Sequence, residues 1–505
     1  MFEPKCLDDL EAILQKARTQ DVQPRIRCLG AGHSYSQVFC DDNSWLVKMK
    51  HINKITYTPH IDPYQITVQG GVTSGDLATF MDSPDRREHR GIFLTCDTIF
   101  EVPHYAGVIA TGCHGAGKAK TIPDHVVAMS IMWADGSIHK YHRSSDPDFP
   151  VRVIHMGCLG FVVDLTMQFS DHRMAVEVTD RKAPMRAIYP GPNFKPTPGN
   201  NPLKDCWDNN YAYQAFWLPA NSCRRKRFIK AQEVWSDFFW NPYEDTMFYK
   251  TFKLTDRPIP RNFDGGRVCW NCVVEKSRYT RRFVLPDFFT NQAGRSLIGL
   301  GTEHADDPRF IKLYAAAVLR FFEPIGKALG EKVYETSLVK AIHWLDYISD
   351  GAAVYDFEVC VKGDDDFANF YEIWNTAIKI TRDYVDTHGV LPLNVAMETR
   401  LTKHSDSPLS PAYGKEGDVF CWIEVICSVD SVLALDYCTE LADGWLALGG
   451  KPHWGKFDDS FVRGSQGKMR EINKDVLPFL RSLSEEADPT HMFRNDYMDF
   501  LFDLP

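Results

Sequence analysis

The stretch Gly30-Ala31-Gly32-His33-Ser34-Tyr35-Ser36 decides the fold, because small residues and a histidine meet in one turn. The apolar run 26–29 before it predicts a short strand, so the turn leaves the end of a strand. Successive amide N–H groups in such a turn form an anion-binding nest that suits a pyrophosphate. The dinucleotide fingerprint G-x-G-x-x-G is not met, because Tyr35 stands in place of its third glycine. A Rossmann turn is therefore excluded, and an ordinary glycine turn with an exposed His33 stays the alternative.

The composition is that of a globular protein and argues against several partner classes. The 505 residues are 44% hydrophobic and 25% charged, and their net charge is −10 at pH 7. This length predicts two domains, and the negative charge argues against nucleic acid as a main partner. No segment reaches the roughly 20 apolar residues of a membrane span, and no apolar signal core follows Met1, so we expect a cytoplasmic protein.

The cysteines indicate free thiols in a reducing compartment. The chain holds 14 of them without a regular framework. The one close pair, Cys269 and Cys272, lacks a second pair at zinc-site spacing, which favours two buried thiols in a strand over a metal site. We expect no metal ion.

Two further small-residue segments follow the first, at residues 106–117 and 155–163. Four glycines in the first of them leave bare backbone against which a flat ligand can lie. Between the two segments, the runs 126–132 and 138–141 flank Asp135-Gly136, which predicts a β-hairpin. Three such segments in the first third of the chain predict one extended ligand laid across an α+β domain.

Two polar segments near the other end of the chain are candidates for chemistry. In 392–400, which reads as a strand, Glu398 and Arg400 point to the same face. His453-Trp454-Gly455-Lys456 forms the second segment. Without other information these are a surface ion pair and an aromatic turn with a solvated lysine. Residues 175–390 contain no motif.

Taken in order, these segments resemble the vanillyl-alcohol oxidase superfamily, and within it most closely the aldonolactone and alditol oxidases. The family's Gly-His-Ser, Ala-Thr-Gly-x-His-Gly and Gly-x-Leu-Gly motifs are similar to 32–34, 110–115 and 157–160. Its Glu-x-Arg and His-Trp-Gly-Lys motifs are similar to 398–400 and 453–456. The resemblance implies an α+β fold, with a two-subdomain PCMH-type FAD-binding domain and an antiparallel-sheet substrate cap.

The resemblance also divides the chain. Residues 1–175 would bind FAD, residues 176–445 would form the cap, and residues 446–505 would return to the flavin site. It implies covalent attachment of FAD through His33, with a histidine that only lines the pyrophosphate as the alternative. The other residues it assigns to FAD are Gly30, Ala31, Gly32, Ser34, Tyr35, Gly107, Ile109, Thr111, Gly112, His114, Gly115, Ala116, Gly117, Gly157, Gly160 and Val162.

Five residues are expected in the chemistry. Lys456 and Arg400 would stabilise negative charge on the flavin, and Glu398 would grip a substrate hydroxyl and hold Arg400. His453 would orient the substrate or accept its proton. His104 stands where alditol oxidases have a serine, and this larger side chain argues against a simple straight-chain polyol as the substrate.

The resemblance implies FAD-dependent oxidation of a sugar alcohol, a sugar-1,4-lactone or a related secondary alcohol. Hydride would pass to the flavin, and dioxygen would accept the electrons to give hydrogen peroxide. Three alternatives to this function are a dehydrogenase, an oxidase of a bulkier metabolite and a flavin-binding interaction protein without catalysis.

Overall fold

The computed structural model of the protein describes residues 1–39, 41, 44–58, 64–81, 92–93, 96–171, 174–226, 234–258, 308–309, 311–313, 330–343, 354–429, 431–456 and 468–504. The predicted thiol pair Cys269 and Cys272 lies outside these residues. The sequence of residues 310–322 also predicts a helix, and most of these residues lie outside the described ranges as well.

The first part of the chain folds around a five-stranded antiparallel sheet, in the order β3-β4-β8-β6-β7. A parallel pair, β1-β2, lies beside it. The elements are α1 (Leu7–Arg18), β1 (Ile26–Leu29), β2 (Trp45–Lys48), β3 (Ile55–Thr58), β4 (Gln65–Gln69), α2 (Ser74–Met81), β5 (Ile92–Phe93), α3 (Tyr105–Ala110), a 3₁₀ turn (Ile122–His125), β6 (Val126–Met132), β7 (Ile138–His142), α4 (Phe149–Arg152), β8 (Phe161–Gln168) and β9 (Ser170–Asp171).

Local sequence explains these elements. Helix α1 buries Leu10, Ile13, Leu14 and Ala17, which is the apolar face that their spacing predicts. Helix α2 begins with a reciprocal cap, in which Thr73 Oγ1 accepts from the Asp76 N–H and Asp76 accepts from the Thr73 N–H, both at 3.0 Å. The predicted hairpin around Gly136 is present as β6 and β7.

The second part of the chain is built on an eight-stranded sheet in the order β15-β10-β14-β11-β17-β18-β16-β19. Every neighbouring pair in it is antiparallel. The elements are β10 (Met174–Pro184), a 3₁₀ turn (Met185–Ala187), α5 (Pro202–Asn209), β11 (Ala212–Trp217), β12 (Arg224–Arg225), a 3₁₀ turn (Trp235–Asp237), β13 (Phe238–Phe239), a 3₁₀ turn (Pro242–Glu244), β14 (Thr246–Pro258), β15 (Gly330–Thr336), α6 (Leu338–Ile342), β16 (Val354–Lys362), α7 (Ala368–His388), β17 (Ala396–Lys403), β18 (Val419–Ser428), α8 (Ala434–Ala447) and β19 (Lys451–Pro452).

Helices α7 and α8 flank this sheet through aromatic side chains. Trp445 of α8 donates from Nε1 to the Ile373 carbonyl of α7 at 3.1 Å. Its ring lies 5.2 Å from that of Phe357 on β16. The antiparallel sheet flanked by helices confirms the expected fold class.

The tail of the chain returns to the first sheet. Helices α9 (Lys468–Ile472), α10 (Leu477–Ala487) and α11 (Asp496–Leu501) follow β19. Met492 accepts a 2.7 Å hydrogen bond from the Ile26 N–H, and Phe493 packs edge-on against Phe161 at 5.1 Å. None of the helices in the described ranges is both long and apolar enough to cross a bilayer.

Candidate active site

One cavity is lined by residues of the three glycine segments (30–36, 106–117 and 155–163) and of strands β16, β17 and β18. These strands belong to the eight-stranded sheet, which is called the cap sheet below. Seventeen of the predicted site residues line it: Gly30, Ala31, Gly32, His33, Ser34, Tyr35, His104, Gly107, Thr111, His114, Gly157, Gly160, Val162, Glu398, Arg400, His453 and Lys456. The two ends of the chain are joined directly at this cavity. The Tyr35 N–H donates to the Gly455 carbonyl at 2.8 Å, and Ser36 Oγ donates to the Trp454 carbonyl at 2.6 Å.

Five residues predicted to contact the cofactor do not line the cavity: Ile109, Gly112, Gly115, Ala116 and Gly117. Ile109 and Ala116 are buried in apolar clusters. A Cβ at Gly112 would lie 3.1 Å from the side chain of Ile154, and one at Gly115 would lie 2.4 Å from the Asp97 carbonyl oxygen. Gly117 donates from its N–H to the Leu401 carbonyl at 2.8 Å, on the cap sheet. The three glycines allow close packing beside the cavity, and Ile109 and Ala116 contribute to the core there.

Bare backbone faces the cavity at two glycines, and this is the feature that fits FAD. A Cβ at Gly32 or at Gly107 would meet nothing within 4 Å, so both positions border open space. His33 lies nearby, with its ring 6.1 Å from that of Phe100 and 21° from parallel to it. A flat cofactor can therefore approach the main chain closely beside His33.

Arg27 fixes the wall of the cavity, although its sequence context does not suggest a special role. This guanidinium, only 3% exposed, donates to the carbonyls of Phe39, Val38, Met156 and Phe493. A Cβ at Gly157, where φ is +78°, would lie 3.1 Å from Arg27 Nη2. Arg27 therefore joins the first strand, the third glycine segment and the tail.

Glu398 and Arg400 lie on one face of β17, as predicted, but they are buried and not on the surface. Arg400 Nε is 2.9 Å from Glu398 Oε1, and Arg400 Nη2 is 3.2 Å from Glu424 Oε2 and 3.5 Å from Glu358 Oε1. Burial raises the pKa of Glu398 to about 8 against the opposing effect of Arg400, and Glu424 and Glu358 raise it further. Burial alone would lower the pKa of Arg400, but the three glutamates outweigh it and raise that pKa.

Lys456 is held by two carboxyl groups. Its Nζ lies 2.6 Å from Glu424 Oε1 and also contacts Asp356 Oδ2. Burial and the neighbouring Glu424 raise the pKa of Asp356 well above its usual value. The pKa of Lys456 is raised as well, because Asp356 and Glu424 outweigh the effect of burial. The ammonium group therefore stays charged.

His453 is a buried neutral imidazole. Burial lowers its pKa to about 3, and its Nδ1 accepts a 3.0 Å hydrogen bond from the Gly455 N–H. The proton of the neutral ring therefore sits on Nε2, which can donate but not accept. Of the two roles expected for His453, this geometry favours orienting the substrate over accepting its proton.

His114 links the glycine segments to the cap sheet. Its Nε2 is 2.9 Å from Glu358 Oε1, and its Nδ1 is 2.9 Å from the Gly115 carbonyl oxygen. Its ring stacks on Trp422 of β18, with centroids 3.7 Å apart. His104 is half-buried across from Gly30, and burial lowers its pKa.

Asp356, Glu358, Glu424 and Arg27 also line this cavity, and no motif in the sequence marks any of the four. The first two alternate with apolar residues in β16. This alternation is the one available signal, and it is equally typical of a strand with a solvent face.

The comparisons with known proteins agree with this geometry. Residues 1–142 match the FAD binding domain, and residues 331–501 match the D-arabinono-1,4-lactone oxidase domain. L-gulonolactone oxidase from Scyliorhinus torazame is 22% identical over 99% of this chain and 94% of that protein. Mitochondrial L-galactono-1,4-lactone dehydrogenase from Arabidopsis thaliana is 25% identical over 99% of this chain and 78% of that protein.

Cholesterol oxidase from B. sterolicum has a similar fold, with a TM-score of 0.70 at 16% identity over 99% of this chain and 93% of that one. Together, the matches confirm the resemblance to PCMH-type flavoproteins and to the aldonolactone oxidases, and with it FAD as the cofactor.

Proposed function

We propose that this chain, an FAD-dependent oxidoreductase similar to the lactone oxidases, oxidises a hydroxyl-bearing carbon of a sugar-1,4-lactone or a sugar alcohol. The observation that carries the proposal is the shared cavity, in which Glu398, Arg400, His453 and Lys456 face the glycine segments. Buried, mutually paired charges beside bare backbone are typical of a site that binds a polar substrate against a flat cofactor.

FAD, when bound, supplies the acceptor for a hydride and passes the electrons on to dioxygen, which yields hydrogen peroxide. The residues of the chain prepare the substrate. The Nε2 proton of His453 donates to a substrate oxygen, and Glu398, whose Oε1 lies 2.9 Å from Arg400 Nε, binds a hydroxyl. The charges of Arg400 and Lys456 stabilise negative charge that develops in the cavity.

We also propose that FAD is attached covalently through His33. The support is the position of the His33 ring beside Gly32, where the backbone borders open space. The remaining glycines at the cavity, from Gly30 to Gly160, would lie against the cofactor, and His104 would narrow the substrate side.

Anaerobic mixing of the holoprotein with candidate substrates tests the function. L-gulono-, D-arabinono- and L-galactono-1,4-lactone are compared with a series of alditols, and loss of the visible flavin absorbance is followed. We expect at least one lactone or alditol to bleach the flavin in wild type but not in Glu398→Gln. The control is Glu335→Gln, because Glu335 is partly exposed, pairs with Arg257 and does not line the cavity. Dioxygen uptake with peroxide formation then identifies an oxidase. Failure of every compound to bleach the flavin would instead favour a bulkier substrate.

A further inference from the structure

Three glutamates form a row across neighbouring strands of the cap sheet. Glu424 of β18 pairs in register with Glu398 of β17 on one side and with Glu358 of β16 on the other. Like charges directly opposite each other destabilise a sheet, so this arrangement is costly for folding alone. Asp356 adds a fourth carboxyl group from β16. All four line the cavity, and each is at most 4% exposed.

The two cations beside this row are already engaged. Arg400 contacts Glu398, Glu424 and Glu358, and Lys456 contacts Glu424 and Asp356. Glu358 and Glu424, whose pKa values are lowered, balance these two cations, whereas the raised pKa values of Asp356 and Glu398 favour the protonated form of those two groups. An anionic ligand would have to displace a carboxylate from Arg400 or Lys456 and then lie among the remaining carboxyl groups, which is unfavourable in a buried site.

Hydroxyl groups of a ligand, in contrast, find partners in the row. Asp356 Oδ1 is buried and makes no hydrogen bond to any described residue, whereas Glu398 Oε1 is buried 2.9 Å from Arg400 Nε. A buried oxygen without a partner is costly, so a ligand that supplies one is favoured. A carboxyl group binds a hydroxyl as an acceptor when ionised and as donor or acceptor when protonated.

We propose that Asp356 and the glutamate row (Glu358, Glu398 and Glu424) select polyhydroxylated ligands without negative charge. The cavity binds the closed sugar lactone and rejects the aldonate ion that forms when water opens the lactone ring. Glu424, at the centre of the row, is the main determinant of this selection. The inference rests on the proposed function, because it names the form of the substrate that the same cavity accepts.

Paired ligands test this selection independently of turnover. Each of the three lactones and its own aldonate are titrated calorimetrically into anaerobic, fully reduced holoenzyme, in which neither ligand can be oxidised. We expect the lactone to bind about tenfold or more tightly than its aldonate, since like charges in proximity cost several-fold or more in affinity. In Glu424→Gln the ratio should fall to within about threefold, because one negative charge is removed from the row.

Asp180→Asn is the matched control, because Asp180 pairs with Lys250 on the same sheet but does not line the cavity. Its ratio should equal that of wild type. Glu358→Gln serves as a second variant if Glu424→Gln does not fold, with the same expected direction, because the lowered pKa of Glu358 keeps that group charged.

Two results overturn the inference and leave the proposed function standing. One is equal binding of lactone and aldonate by wild type, and the other is an unchanged ratio in the folded cavity variant. Binding of no lactone and no aldonate overturns the proposed function and this inference together.

Discussion

His114 Nε2 lies 2.9 Å from Glu358 Oε1, although 244 residues separate the two along the chain. The contact joins the second glycine segment to β16 of the cap sheet, and both side chains are buried. Burial lowers the pKa of His114, whereas the contact with His114 helps to lower the pKa of Glu358 against the effect of burial. The pair therefore connects the loop that holds His114 to the eight-stranded sheet at the cavity.

Replacement of His114 by alanine should destabilise the protein by about 3 kcal/mol, because the buried Glu358 loses its 2.9 Å contact and keeps only the 3.5 Å contact with Arg400. Urea unfolding of the apoprotein measures the loss. The double variant His114→Ala/Glu358→Gln should recover part of it, since the unpaired charge is then gone. Strictly additive losses would show that the pair is not coupled.

Replacement of Lys456 by methionine should slow flavin reduction by at least about 100-fold while FAD stays bound. Methionine removes the ammonium that lies between Asp356 and Glu424, and with it the charge nearest to those groups. Rapid mixing under anaerobic conditions gives the rate. Lys379→Met, which changes an exposed lysine paired with Asp383, is the control. Reduction at the wild-type rate would remove Lys456 from the chemistry.

Replacement of His33 by alanine should leave FAD that acid releases. Wild-type protein should give a yellow pellet after acid precipitation, with the mass of the flavin on the peptide that contains His33. The variant should give a colourless pellet with FAD in the supernatant. The exposed His51→Ala variant should behave like wild type. A yellow pellet from the His33 variant would place the attachment elsewhere.

The stability of the protein should fall as the pH drops below 6.5, in part because of His155. Burial, aided by Arg27, lowers the pKa of His155 from 6.5 to about 4. The unfolded chain takes up a proton below pH 6.5, whereas the folded protein does so only near pH 4. This residue's contribution is thus complete above pH 6.5 and declines by about 3 kcal/mol as the pH falls to 4. Urea unfolding at several pH values should show that the unfolding free energy of His155→Gln depends less steeply on pH than that of wild type. Equal pH dependence in the two proteins would contradict this role of His155.

Replacement of Arg27 by methionine should cost about 3 kcal/mol or more, since carbonyls of Phe39, Val38, Met156 and Phe493 lose a donor. Arg25→Met should cost less than about 1 kcal/mol, because Arg25 makes partly exposed ion pairs with Asp496 and Asp499. Urea unfolding compares the two variants. Equal losses would mean that the position of Arg27 is not special.

The sequence predicts the parts of this site that depend on local rules. Glycines beside a strand mark backbone that a ligand can approach, and the i, i+2 spacing of Glu398 and Arg400 places them on one face. These inferences do not need the partner strands. Most of the residues that they single out line one cavity, whereas Gly112, Gly115 and Gly117 lie beside it.

The glutamate row could not be predicted in this way, because it arises from strand register. Glu358 and Glu424 are far apart in sequence and meet only because β16 and β18 pair in one alignment. A shift of a single residue would turn one of them to the opposite face. The role of Arg27 could not be predicted for a related reason, because its carbonyl partners come from distant parts of the chain: the loop at 38–39, Met156 and Phe493.

The bond from the Ile26 N–H to the Met492 carbonyl has a consequence for biosynthesis. Strand β1 leaves the ribosome long before its hydrogen-bond partner Met492 is translated. The hydrogen bond from Arg27 to the Phe493 carbonyl likewise cannot form until Phe493 has been translated. Nascent chains usually fold from the N-terminus onward, yet here the first domain stays incomplete until synthesis has passed residue 493. Until then its apolar surface stays exposed and can bind chaperones. A cofactor that arrives earlier would find one wall of the cavity incomplete.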